Sequence, residues 1–101
     1  MSKLIVTADD RLYERLSCTA EQDGDVTYRA TNVLDGFRLA TTLAVDAIVI
    51  DMSLHAADTL VETLRSRTVT ASIPLYVVQS GGRLPFELRR LCTDILEVDT
   101  L

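Results

Sequence analysis

Short apolar runs of strand length alternate along this chain with stretches of helical spacing, and that alternation restricts the fold more than any single motif. Leu4, Ile5 and Val6 open the first run, and Ala47-Ile48-Val49-Ile50 is the clearest. Runs beginning near residues 4, 26, 47, 75 and 94 predict five strands, since side chains alternate across an extended chain and a continuous apolar run is buried on both sides. The segments between them each hold one helix. Leu12 and Leu16 lie one turn apart, with Tyr13 and Ala20 beside them, until Asp23-Gly24-Asp25 breaks the pattern. Leu34, Phe37, Ala40 and Ala44 fit the buried stripe of a second helix. Leu60, Val61 and Leu64 mark a third, with Asp58 placed to complement its positive N-terminal end. Leu84, Leu88 and Leu91 mark a fourth, with Pro85 in its first turn. Strand, crossover helix and strand in succession predict a parallel, doubly wound α/β sheet.

At 101 residues and 48% hydrophobic, the chain is long enough for one core and too short for two, so residues 1–101 are read as one domain. Ten Lys and Arg against 15 Asp and Glu give a net charge of −5. Such a balance lacks the positive field that draws nucleic acid or anionic lipid, so neither is an expected partner. Lys3 followed so soon by Asp9 makes no secretory signal, and no apolar run approaches the roughly 18 residues that span a membrane. A cytoplasmic location is expected. Cys18 and Cys92 form neither a disulfide framework nor a metal-ligand pair, and both read as reduced core thiols.

In a doubly wound sheet, polar residues at the carboxyl ends of the strands converge where the strand order reverses. Those ends carry Asp9 and Asp10 after the first strand, Asp51 after the third, and Gln79 and Ser80 after the fourth. Three gathered carboxylates repel one another and call for a proton or a cation, for which Mg²⁺ is the natural hard partner. A carboxylate beside bound Mg²⁺ can attack a phosphoryl group, because the metal offsets charge on both reactants. The alternative is that these aspartates simply end strands and start helices. His55 is read as solvated loop surface, Gly81-Gly82 as a turn, and Arg89 and Arg90 as complements to a helix C-terminus.

Three stretches over residues 3 to 98 resemble a response-regulator receiver domain, the fold of the chemotaxis response regulator. Ala8-Asp9-Asp10 resembles the acid pair that holds Mg²⁺ in that family. Val45 to Leu54 is similar to the segment around the phosphoacceptor, which the resemblance places on Asp51, with Asp58 seven residues later where receivers usually have an Asp-Gly pair. Ile73-Pro74-Leu75-Tyr76-Val77-Val78 is similar to the strand before the hydroxyl residue that contacts the phosphoryl group. The resemblance implies strand order 2-1-3-4-5 and a metal site at Asp9, Asp10 and Asp51.

The chain also departs from the family. His55 and Thr59 stand where Pro and Gly flank the phosphorylation loop. Gln79 falls at the hydroxyl position, and Ser80 substitutes only if the strand bulges by one residue. Val98 replaces the lysine that pairs with the phosphoryl oxygens, no lysine follows Lys3, and Ile95 replaces the aromatic residue that rotates inward on activation. The carboxylates persist while the groups that read phosphorylation do not.

The leading expectation is therefore an atypical receiver that signals by binding other proteins, is not an enzyme, and holds Mg²⁺ weakly if at all. The alternative is a working two-component receiver in which Asp51 accepts a phosphoryl group from a histidine kinase, with Mg²⁺ on Asp9 and Asp10. A metal-dependent hydrolase is a third reading, disfavoured because no general base or nucleophile accompanies the aspartates. Family members follow the fifth strand with a fifth helix, and only Asp99, Thr100 and Leu101 follow Val98. The expectation is a missing fifth helix and an exposed sheet face carrying Leu75 and Val77, or Tyr76 and Val78, moderated by Glu97. A homodimer, or a partner protein supplying the missing layer, would cover it.

Overall fold

A computed structural model describes residues 1–79 and 84–97. Ser80, Gly81, Gly82 and Val98, together with the residues on which the missing fifth helix was argued, lie outside the described residues. Five parallel strands, β1 (Ser2–Val6), β2 (Val26–Ala30), β3 (Ala47–Asp51), β4 (Leu75–Gln79) and β5 (Asp94–Glu97), form one sheet in the order β2-β1-β3-β4-β5. All five begin within two residues of the positions read from the apolar runs, and the order is the one expected. Helices α1 (Asp10–Gln22), α2 (Val33–Thr42), α3 (Ala57–Ser66) and α4 (Phe86–Arg89) connect them.

The two faces of the sheet are covered unequally. Leu4, Val6, Ile48, Ile50, Leu75 and Val77 pack with Leu60, Val61 and Leu64 of α3, Ala40 of α2 and Leu88 of α4. The alternate residues Ile5, Val49 and Val78 pack with Leu12 of α1, and Tyr13, Leu16, Tyr76 and Leu96 border them. Tyr76 and Val78, rather than Leu75 and Val77, thus belong to the α1 face. Leu96, and not Glu97, represents β5 there; the Glu97 side chain instead accepts a 2.8 Å hydrogen bond from Gln79 Nε2.

The helices differ from their sequence reading where side-chain identity misleads. The buried residues of α2 are Gly36 and Ala40, while Leu34 is 77% exposed. The helix sits close to β1, where a Cβ on Gly36 would meet both γ-carbons of Val6 at 3.0 Å, and this close approach turns Leu34 outward. Helix α4 is a single turn with Pro85 as its N-cap, because Leu88 alone of its stripe is fully buried and Leu84 and Leu91 pack from the flanking loops. Cys18 is exposed, contrary to the core reading, since it lies two residues, and so about 200°, from Leu16 on α1. Cys92 is half-buried; its burial raises the thiol pKa, with the nearby Arg65 charge opposing. Both cysteines are free thiols.

Arg65 closes the amino-terminal end of the β4 region. Its guanidinium donates to the backbone carbonyls of Leu91 at 2.6 Å, Ala71 at 2.8 Å and Ile73 at 2.7 Å. One side chain thereby ties the end of α3 to the loops that lead into β4 and β5.

Candidate functional site

Register brings the site together. Strands β1 and β3 pair in parallel with Val6 opposite Ile50, so the next residues, Thr7 and Asp51, face each other on the α1 side of the sheet. Both are buried, Thr7 completely and Asp51 with 7% exposed. A buried carboxylate needs hydrogen-bond donors, and here each oxygen has them. Thr7 Oγ1 donates to Asp51 Oδ2 at 2.7 Å. The Ser53 backbone N–H and hydroxyl donate to Asp51 Oδ1 at 2.9 and 2.7 Å, closing a side-chain turn over the loop after β3. Thr7 Oγ1 also accepts from the Asp9 backbone N–H at 3.0 Å, so one hydroxyl joins the start of α1 to the end of β3.

The other two carboxylates have separate employment. Asp9 is the N-cap of α1, its Oδ1 accepting from the Arg11 and Leu12 backbone N–H groups at 2.9 and 3.2 Å. Asp10 points to solvent and pairs with Arg29 Nη2 at 2.7 Å. Arg29 also lies over the Tyr13 ring at 4.8 Å, and its Nε and Nη2 reach the Thr7 carbonyl at 3.4 Å. Asp10 is thus paired with a cation of the protein itself.

Among the described residues no group of three or more His, Cys, Asp and Glu side chains is gathered closely enough to hold a metal ion. Mg²⁺ demands near-ideal octahedral oxygen geometry and usually retains waters alongside one or two carboxylates. The residues as arranged do not fit it: Asp51 oxygens point to Thr7 and Ser53, Asp9 to the helix, and Asp10 to Arg29.

The remaining sequence candidates are dispersed. Gln79 engages Glu97 on the neighbouring strand. Ile95 is half-buried against the α2 to α4 side. His55 is exposed in the loop after β3, as its sequence context suggested. That loop ends at Ala56, which holds a left-handed φ of 63° as the N-cap of α3 without a side-chain hydrogen bond. Sequence reading missed Thr7 and Arg29. The period of two that places Lys3, Ile5 and Thr7 on one face was the available signal for the first; Arg29 has no local signal, because its contact with Asp10 depends on β1 pairing with β2.

Comparison with solved structures places this architecture among response-regulator receiver domains. A CheY-like receiver domain from Methylobacillus flagellatus superposes with a TM-score of 0.85 at 24% identity, over 97% of this chain and 86% of that one. A chemotaxis response regulator of Vibrio cholerae gives 0.84 at 16% identity, over 96% and 85%. A sensor protein from Polaromonas gives 0.87 at 20% identity, over 97% and 83%. No protein-family model matches the sequence, and no curated protein matches it. The fold is that of a receiver domain, the structural class used by two-component response regulators.

Proposed function

We propose that residues 1–101 form one receiver-like signalling module that works by binding other proteins rather than by catalysis, with phosphorylation at Asp51 absent or uncoupled from shape change. The observation that carries this reading is the hydrogen bonding of Asp51. Its oxygens already accept three protein hydrogen bonds, from Thr7 and Ser53, and the other two carboxylates of the acid set serve a helix cap and an ion pair. Attack through either oxygen would weaken donors that hold this carboxylate in place, each worth roughly 1.5–3 kcal/mol. A receiver switches only if its phosphorylated form makes contacts that the free form lacks. With Gln79 bonded to Glu97 and Ile95 in place of an aromatic residue, little differential contact is available.

The second reading is a phosphorylatable receiver served by a histidine kinase, with Asp51 as acceptor and Mg²⁺ on Asp9 and Asp10. What favours it is position: Asp51 lies at the carboxyl end of the central strand β3, where the sheet order reverses. Incubation with acetyl phosphate and Mg²⁺, followed by intact mass and amide spectra, separates the two. The first reading expects no stable phosphoryl adduct, or an adduct that leaves the β4 and β5 amides in place; an Asp51 adduct accompanied by shifts throughout β4 and β5 would establish the second.

A further inference from the structure

Among the described residues the sheet ends at β2 on one side and at β5 on the other. An unpaired edge strand invites a further strand, and charge, Pro, a bulge or shortness is what blunts it. Strand β5 is four residues long and bounded by exposed Asp94 and Glu97. Strand β2 carries a different set. Val26 is 57% and Tyr28 39% exposed, both on the side that α2 covers, since Tyr28 lies opposite Leu4 in the register. The strand's one charged residue, Arg29, lies on the other side and folds back onto Asp10 and the Tyr13 ring.

Backbone direction fixes what this edge can bond. The Val26 N–H donates to the Met1 carbonyl, and the Ala30 carbonyl accepts from the Thr7 N–H. Val26, Tyr28 and Ala30 therefore turn their polar backbone groups toward β1, and Thr27 and Arg29 turn theirs outward. These two flank Tyr28 symmetrically. A second β2, antiparallel about a two-fold axis through Tyr28, sets Thr27 opposite Arg29 of the other copy twice, and each such pair exchanges two backbone hydrogen bonds. A slip of two residues keeps only one such pair within the strands, and a slip of one aims outward groups at inward ones. The same register brings the two Tyr28 side chains together as a close, non-hydrogen-bonded pair and sets Arg29 of each copy diagonal to Asp25 of the other. An edge that completes itself in one register selects a second copy as its occupant.

The helices admit this arrangement. Both α1 and α2 contact β1 and β2, so each rides over the seam between those strands. Two strand spacings, roughly 10 Å, would separate each helix from its counterpart, which is the distance between packed helices. Leu39 is half-buried and lies about 200° around α2 from Phe37, whose ring meets Arg67 beyond α3, so it sits on the flank of α2 nearest the β2 edge. The contact is nonetheless small, and net charges of −5 oppose it, so its dissociation constant falls in roughly the hundreds of micromolar.

We infer that β2 is a self-association edge, through which two copies of this chain pair antiparallel about Tyr28 and join their sheets into one. Light scattering and amide spectra of the isotope-labelled chain, followed from roughly 20 µM to about 1 mM, test it. Expected are a rising apparent mass, shifts centred on residues 25–31, and slowed exchange of the Thr27 and Arg29 amides. Thr27→Pro removes an outward N–H, where an edge strand tolerates Pro, and should weaken pairing at least about tenfold. Thr27→Val loses the same hydroxyl contact with Tyr13 but keeps the N–H, and should pair as the unaltered chain does. Tyr28→Lys sets like charges face to face at the axis and should also weaken pairing at least about tenfold. A monomer at about 1 mM would overturn the inference. So would pairing that survives Tyr28→Lys, a loss in Thr27→Val as great as in Thr27→Pro, or shifts confined to Ile5, Leu16, Tyr76 and Leu96, which would put the contact on the α1 face. Should Thr27→Pro unfold, Tyr28→Lys alone decides. None of these readouts involves Asp51, so the proposed function stands or falls separately.

Discussion

Among the described residues, three helices cover one face of the sheet and α1 covers the other. On the closed face Leu60, Val61 and Leu64 of α3 lie at or below 1% exposure, against strands whose inward residues are equally buried. On the α1 face the bordering Leu16, Tyr76 and Leu96 are only half-buried. Thr7 and Asp51 sit at the carboxyl end of that thinner face. The contrast teaches where the packing is densest: the deepest burial lies on the closed face, while Thr7 and Asp51 sit on the face whose bordering side chains still meet solvent.

The largest expected effect tests that contrast. Leu64→Ala opens a cavity in the closed face and should destabilise by about 2–5 kcal/mol in urea melts. Leu16→Ala removes a side chain that already meets solvent and should cost less than half as much. Equal losses would mean that both faces share the load.

A smaller effect concerns the thin face itself. Thr7→Val keeps the shape and removes the hydroxyl, leaving Asp51 Oδ2 without its 2.7 Å donor. A loss of about 1–3 kcal/mol is expected, and Thr7→Ser should recover most of it. A neutral Thr7→Val would show that the buried carboxylate does not depend on this bond.

The smallest effect separates the two thiols. Cys18 on the outer side of α1 should react with a thiol reagent at neutral pH at least about tenfold faster than Cys92, whose burial suppresses the thiolate. Because the folded-state pKa of Cys92 is raised, its favourable contribution is intact below the unfolded thiol pKa. That contribution is lost as pH rises toward the folded value. Replacement of Cys92 by Ala should reduce the alkaline fall in stability; an unchanged alkaline limb would assign it to other groups.

The strand pattern was legible because apolar runs such as Ile48-Val49-Ile50 are long enough to require burial on both sides, and burial in a parallel sheet fixes the crossovers. Helix α4 was less legible: Leu84, Leu88 and Leu91 keep helical spacing, yet two of them pack from loops, and spacing alone does not distinguish the cases. The acid set was legible as residue types but not as geometry. Asp51 bonding to Ser53 is a local turn that two-residue spacing can suggest. The partnership with Thr7 spans 44 residues, and that of Asp10 with Arg29 spans 19; both require strand register, which no local pattern supplies. Leu34 misled because the close approach of α2 to β1 favours Gly36 and Ala40 over a larger side chain.

The central claim is that the buried Asp51 carboxylate is already held by Thr7 and Ser53, while Asp10 turns outward to pair with Arg29. Titration with Mg²⁺, followed through the amide signals of residues 7–10 and 51–53, tests it most directly. The account predicts that at millimolar metal these signals stay in place, and that Arg29→Gln, by releasing Asp10, makes them more responsive than in the unaltered chain. Saturable movement of Asp9, Asp10 and Asp51 together at millimolar Mg²⁺, with Arg29 intact, would contradict it and restore the acid set as a metal site.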